Sequence, residues 1–279
     1  MKKLCILVLF VGITSTINAQ IKTPQPSPAS KLEQVVGLTD VTIEYSRPAM
    51  RGREIFGDLV PYGKMWRTGA NANSKITFSD NVTIDGQELK KGTYAIFTIP
   101  NEKTWEVIFY SDSNNWGTPQ TWDESKVAAK TTVEAYVIEA KIESFTIEID
   151  DIKSGEATIG LLWDNIFVGV KFEVPTDKIA SKSIEAAMAG PSKNDYFQAA
   201  SYYHTEGKDL SKALTWIKKA CEGDEPAFWY LRRMSLIQAD MGDKSGAIAT
   251  AKKSMAGAEK AKNTDYVKMN KESIAEWSK

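Results

Sequence analysis

The apolar residues of this chain change their period at Pro175, and that change limits the folds open to it. Before it, Val41, Ile43 and Tyr45 alternate with Thr42 and Glu44, as a strand with one buried face requires. The same period predicts strands over 75–78, 81–84, 93–99, 104–110, 131–138, 144–150, 157–163 and 167–174. The expectation is therefore about nine short strands. Asp85-Gly86 suits a tight hairpin with positive φ, and Pro100-Asn101-Glu102-Lys103 and Lys153-Ser154-Gly155 suit longer turns. No helical period intervenes, which favours an antiparallel sandwich or barrel over an α/β fold. After Pro175 the spacing turns helical: Ile184, Ala187 and Met188 share one stripe, and Gly190-Pro191 ends it. The expected fold class is an all-β sandwich domain, 30–175, followed by an all-α helical-repeat domain, 176–279.

The helical part carries an internal offset. Ala213-Leu214 and Ala247-Ile248 lie 34 residues apart, and Ala220 and Ser254 keep that distance. This resembles tetratricopeptide repeats. The resemblance puts Phe197 and Leu231 in the large apolar slot of the first helix, Ser201 and Ser235 in the small slot where paired helices cross, and Ala213 and Ala247 in the small slot of the second. Asp209 and Gly242-Asp243 fall in the turn before that second helix. His204 and Gln238 depart from the usual tyrosine, and Lys208 from the usual glycine. About two repeats are covered, so the helix before Gly190 and one from Asp265 to Trp277 are expected to cap the stack, or the sandwich to support it.

At the other end, Met1-Lys2-Lys3, the apolar run Leu4 to Ile13 and Ile17-Asn18-Ala19 have the order of a cleaved signal peptide, 1–19, and the run is too short to span a bilayer. Cys5 stands at the front of the run, where it cannot serve as a lipid-bearing cysteine. Residues 20–29, with Pro24, Pro26 and Pro28, read as an extended leader. The expected location is periplasmic or secreted, with no membrane span once the signal is removed. Cys221 would then be the one remaining cysteine, so no disulfide could form within the mature chain.

Charge and inventory remove several function classes. The chain has 35 lysines and arginines against 36 acids, which supports neither a nucleic-acid partner nor a polybasic membrane surface. Its one histidine, His204, lies in the helical part, so neither a Ser-His-Asp machine nor a multi-histidine metal site fits the sandwich. No phosphate loop, dinucleotide fingerprint or zinc spacing occurs, and no metal or cofactor is expected. The acid pairs Asp150-Asp151 and Asp123-Glu124 read as turn residues. Trp105 and Trp163 fall in strand patterns and are expected in the core; Trp116 and Trp122, in a loop, are expected as exposed stacking platforms.

What stands out is the segment from Tyr45 to Asn71. Arg47, Arg51, Arg53 and Arg67 come with glycines, prolines and the pair Trp66-Arg67, a composition suited to a binding surface rather than a core. The candidate ligand-binding residues are Arg47, Arg51, Arg53, Tyr62, Trp66, Arg67 and Asn71. The guanidiniums would hold carboxylate, sulfate or phosphate, and Trp66, Tyr62 and Tyr45 would offer flat faces to sugar rings or to the arginines. The competing expectation is a packed crossover whose arginines pair with Glu54 and Asp58.

The succession Tyr45-Ser46-Arg47-Pro48, Arg51-Gly52-Arg53, Leu59-Val60-Pro61-Tyr62-Gly63, Trp66-Arg67-Thr68-Gly69-Ala70-Asn71, Lys91-Gly92-Thr93-Tyr94 and Phe97-Thr98-Ile99-Pro100 resembles the uncharacterised family DUF2911 over about residues 27–175. Met65 replaces an expected valine. The resemblance implies an exported protein of the Bacteroidota type and no assigned activity. The leading expectation is a non-catalytic binding protein, with an anionic or carbohydrate ligand on the sandwich and a protein partner on the repeats. The alternatives are a glycan-acting hydrolase or transferase of the cell envelope, and a purely structural assembly factor.

Overall fold

In the computed structural model, residues 23–279 are described, so the signal-peptide segment lies outside the described residues. The chain divides after Val174 into a β unit and a helical unit, Pro175–Lys279. The β unit contains β1 (Ala29–Val36), β2 (Thr39–Ser46), β3 (Ser74–Phe78), β4 (Val82–Ile84), β5 (Gln87–Leu89), β6 (Gly92–Pro100), β7 (Thr104–Tyr110), β8 (Val127–Asp150) and β9 (Glu156–Glu173). They form one antiparallel sheet in the order β1-β2-β3-β6-β7-β8-β9-β4-β5.

The strand total matches the expectation, but its members differ. The pairs 131–138 with 144–150, and 157–163 with 167–174, are each one long strand, β8 and β9. Their interruptions are bends. The β8–β9 register shifts between Val137 and Ile142 and again before Thr146, and Asp164 of β9 adopts φ 53°. In compensation, β1 and β5 are strands that the alternating pattern does not predict. β1 is an edge whose outer residues, including Lys31 and Glu33, are exposed, so it needs little apolar alternation. β5 has three residues, too few for a period.

The sheet is folded over on itself. Phe78 of β3 and Phe172 of β9 are four places apart in strand order, roughly 19 Å in a flat sheet at the usual spacing, yet their rings lie 5.6 Å apart. Tyr45 of β2 likewise reaches β8, where its hydroxyl accepts from the Ile147 N–H at 3.0 Å and donates to the Ile147 carbonyl at 3.3 Å. β8 makes the closure: it pairs with β7 through Glu134 and with β9 from Ala135 onward. The enclosed core runs from Val36, Ile43 and Ile76 to Trp163, Val170 and Phe172. A smaller cluster, Ala95, Phe97, Ile108 and Tyr110, lies on the other face of β6 and β7.

That second cluster corrects one expectation. Trp122 is no open platform: its ring stacks on Tyr110 at 4.3 Å, and its indole N–H donates to Glu124 at 2.7 Å. Burying the Phe97 and Tyr110 face requires a cover, and Trp122 supplies part of it. Trp116 remains 79% exposed.

The helical unit contains α1 (Thr176–Ala187), α2 (Lys193–Thr205), α3 (Leu210–Ala220), α4 (Phe228–Asp240), α5 (Lys244–Lys260) and α6 (Thr264–Trp277). The 34-residue offset has a physical origin. Asp209 and Asp243 each cap a helix, accepting from the Lys212 and Gly246 N–H groups at 2.9 and 2.8 Å. Ala213 and Ala247 then sit fully buried one turn inside α3 and α5, with Ser235 of α4 and Ser254 of α5 buried beside them. No helix among the described residues is long and apolar enough to cross a membrane.

Candidate functional site

The segment between β2 and β3 is a crossover rooted in the β core. Met50, Ile55 and Val60 are buried, and Phe56 packs its edge on Trp105 at 5.0 Å. Trp66 exchanges both backbone hydrogen bonds with Thr98 of β6, at 2.7 and 2.9 Å. Its ring stacks on Trp163 at 5.8 Å and meets the edge of Phe145 at 5.1 Å, while its indole N–H donates to the Gly69 carbonyl at 3.2 Å. Trp66 is thus held in a cage of aromatics with part of its surface left at the rim. Tyr45 is buried, which corrects its expected role as an open flat face: its hydroxyl is consumed by Ile147.

The residues after Trp66 are fixed by a turn of unusual backbone. Thr68, Gly69 and Asn71 have φ of 59°, 141° and 60°. A β-branched residue in the left-handed region is strained, and it persists here because its surroundings over-determine it. Thr68 is fully buried, its hydroxyl 3.1 Å from that of Thr98, and its carbonyl accepts from the Ser74 hydroxyl. A Cβ at position 69 would fall 2.9 Å from the Ser74 hydroxyl and 3.1 Å from the Ser46 carbonyl, so this position needs glycine. Asn71 donates to Ser46 Oγ and to the Ser27 carbonyl, both at 3.2 Å, which ties the leader to the turn.

The four arginines fall into different roles. Arg47 is structural: Nε donates to the Phe145 carbonyl at 3.0 Å and Nη2 to the Thr146 hydroxyl at 2.7 Å. Arg53 commits one edge to the backbone, with Nε on the Met50 carbonyl at 2.9 Å and Nη2 on the Ala49 carbonyl at 2.6 Å. Arg51 stands in a left-handed turn with Gly52, at φ 52° and 71°, and its Nη2 donates to the Pro26 carbonyl at 2.7 Å. Arg67 is partly buried, and its Nε is shielded from solvent without a hydrogen-bond partner.

Arg51, Arg53 and Arg67 meet at one cleft of about 440 Å³, with Trp66 and Trp163 in its wall. Pro26 and Ser27 of the leader form part of the rim, and Pro48, Leu59 and Val60 supply apolar lining. No carboxylate lines it. Among the described residues, no acid comes within ion-pair distance of any of the four arginines, so the pairing with Glu54 and Asp58 expected of a purely packed crossover does not form. The nearest acid in bonding terms, Glu143, accepts from the Arg51 backbone N–H at 2.9 Å. Arg47, Tyr62 and Asn71 lie outside the lining: Arg47 and Asn71 brace the walls, and Tyr62, 39% exposed, covers Gly57.

The sequence reading did not single out Pro26, Ser27 and Trp163 as part of this site. Trp163 follows Arg67 by nearly a hundred residues, and no local pattern links them. Among the described residues, no group of three or more His, Cys, Asp or Glu side chains is arranged to hold a metal ion. His204 serves the helical unit, with Nε2 2.8 Å from Asp240 and Nδ1 2.8 Å from Arg233 Nη1. Burial pushes the Cys221 thiol up to about 11, so it stays protonated near neutral pH.

Neither a curated protein nor a solved structure is matched by this chain. A family model does match, over residues 27–172, more than half of the sequence and nearly all of the β unit, with the arginine cleft apart from Pro26. With Trp66-Arg67-Thr68-Gly69-Ala70-Asn71 forming the strained turn at its centre, the chain belongs to the family described as protein of unknown function, DUF2911.

Proposed function

We propose that this is an exported, non-catalytic binding protein in which the β unit recognises an anionic or carbohydrate ligand at the arginine cleft. One observation carries the reading: Arg67 is partly withdrawn from water, makes no ion pair, and opens on a cleft that contains no acid. A partly desolvated guanidinium without a counter-charge costs free energy, and a ligand that supplies the charge recovers it. The cleft volume falls within the about 300–1,000 Å³ usual for small-ligand sites. A glycoside hydrolase of the usual kind acting here would need two carboxyls across the substrate, and this lining offers none.

The helical unit, read as a tetratricopeptide-like stack, docks a protein partner. Support comes from the paired caps Asp209 and Asp243 and the buried small residues Ala213 with Ala247 and Ala220 with Ser254 at repeat spacing, the packing such stacks use to build a concave face. The test is a pulldown from envelope extract with the full chain and its Arg67→Ala variant. The variant should lose the small ligand, keep any protein partner and unfold within a few degrees of the parent. Retention of the ligand by the variant defeats the cleft as its site.

A further inference from the structure

We infer that the group seated in the arginine cleft is a tetrahedral oxyanion carried on an organic body, a phosphate or sulfate ester, rather than a carboxylate or a neutral sugar. The inference rests on the cleft being the binding site, and it follows from the donors left over there. A guanidinium has five N–H donors. Arg53 spends one edge on the Met50 and Ala49 carbonyls, and Arg51 spends one Nη2 hydrogen on the Pro26 carbonyl. Arg67 spends none on hydrogen bonds or ion pairs with the described residues. Three cationic groups therefore converge on one hollow from three parts of the crossover: the turn at 51, the turn carbonyls that hold 53, and the strained turn after 66.

A single carboxylate is planar and carries one charge, and the acceptor sites of its two oxygens all lie in one plane. It therefore meets donors arriving from three directions less well and leaves most of their charge uncompensated. A tetrahedral ester presents three terminal oxygens in three directions, one for each, and a phosphate monoester carries up to two negative charges near neutral pH. A neutral sugar brings acceptors but no counter-charge to Arg67, whose Nε is cut off from water.

The rest of the cleft sets the body. At about 440 Å³ it is far larger than a bare oxyanion needs, and its other lining includes Pro26, Pro48, Leu59, Val60, Trp66 and Trp163. Proline and aromatic side chains beside the cationic groups suit a compact ring or chain that bears a single charged group. Phosphate and sulfate esters share this chemistry, and the experiment separates them.

The experiment is calorimetric titration of the full chain at fixed low ionic strength with glucose 6-phosphate, glucose 6-sulfate, glucuronate and glucose, so that the hexose frame is constant and only the charged group varies. At least one of the two esters should bind more than about tenfold tighter than glucuronate, with no heat from glucose. If phosphate is the better fit, its affinity rises with pH through its second ionisation near about 6, while that of the sulfate ester stays flat. Arg67→Ala and the exposed Arg53→Ala should each weaken ester binding by about tenfold or more, and Arg67→Lys should not restore it, because a point charge lacks the planar fork.

Glucuronate binding as tightly as the better of the two esters, or esters binding equally to parent and both arginine variants, overturns the inference. If glucuronate alone binds and Arg67→Ala abolishes it, the cleft stands as the site and only the ligand class falls. If no probe binds, the ligand class falls, and the extract pulldown with Arg67→Ala decides the cleft separately.

Discussion

In the helical unit Lys208 pairs with Asp177 and lies over the Tyr203 ring at 5.6 Å, Lys212 lies over Trp216 at 5.0 Å, and Arg233 donates to His204. In the β2–β3 crossover of the β unit, Arg67 has no such partner, and Arg51 and Arg53 bond only to backbone carbonyls. These cations of the helical unit hold its helices together. The crossover instead spends backbone strain at Thr68 and an aromatic cage around Trp66 on holding cations apart from any acid. Cations used internally bear on stability, and cations kept unpaired on a braced frame are the ones the proposed function assigns to a ligand. Arg47 shows that the two uses can stand side by side, since it lies at the start of the same crossover and is bonded to β8.

The comparison breaks first if the frame is not rigid. Trp66→Ala removes a ring packed on Trp163, Phe145, Trp105 and Phe56, and should cost about 3 kcal/mol or more of β-unit stability in chemical denaturation. Next, Arg47→Ala should cost about 1–3 kcal/mol, because it strands the Phe145 carbonyl. His204→Ala should cost about 1 kcal/mol in the helical unit and leave any ligand titration of the cleft unchanged. Arg67→Ala should shift stability by no more than about 0.5 kcal/mol in either direction. Equal losses for Arg47→Ala and Arg67→Ala in the same denaturation series would erase the distinction between spent and unspent cations.

The smallest effect sharpens the contrast from the acidic side. Burial, and then the charge of Asp150, hold the Glu148 carboxyl above its usual range. A raised carboxyl favours folding when protonated, and that contribution is lost as pH rises through the folded-state value. Glu148→Gln should therefore stabilise the β unit at pH 7 by at most about 0.5 kcal/mol, allowing for its solvent access. The gain should vanish below about pH 4, where the parent is protonated in both states. Thermal melts of both proteins across that range check the sign.

Much of the architecture was legible because periodicity is a property of neighbouring residues. Seven of the observed strands and the helical turn after Pro175 show in short windows, and the 34-residue offset shows when the helical part is compared with itself. The misses have local causes. Glu139 to Glu143 and Asp164 to Ile166 read as breaks because a bend and a turn carry the same polar residues, and only the partner strand decides whether pairing resumes. Trp122 read as exposed because its loop is polar, whereas the unsatisfied apolar face of β6 and β7 drew it down.

By itself the amino-acid order determined the two-part build, the strand and helix periods, and the segment in which the arginines are gathered. Tertiary structure alone decided which arginines are free. Arg47 is taken up by carbonyl and hydroxyl groups 98 and 99 residues away, and Arg67 faces Trp163 across a cleft with no acid. The physical reason is that a guanidinium is satisfied by whatever acceptor the fold brings within about 3 Å, and those acceptors come from strands that local sequence cannot place.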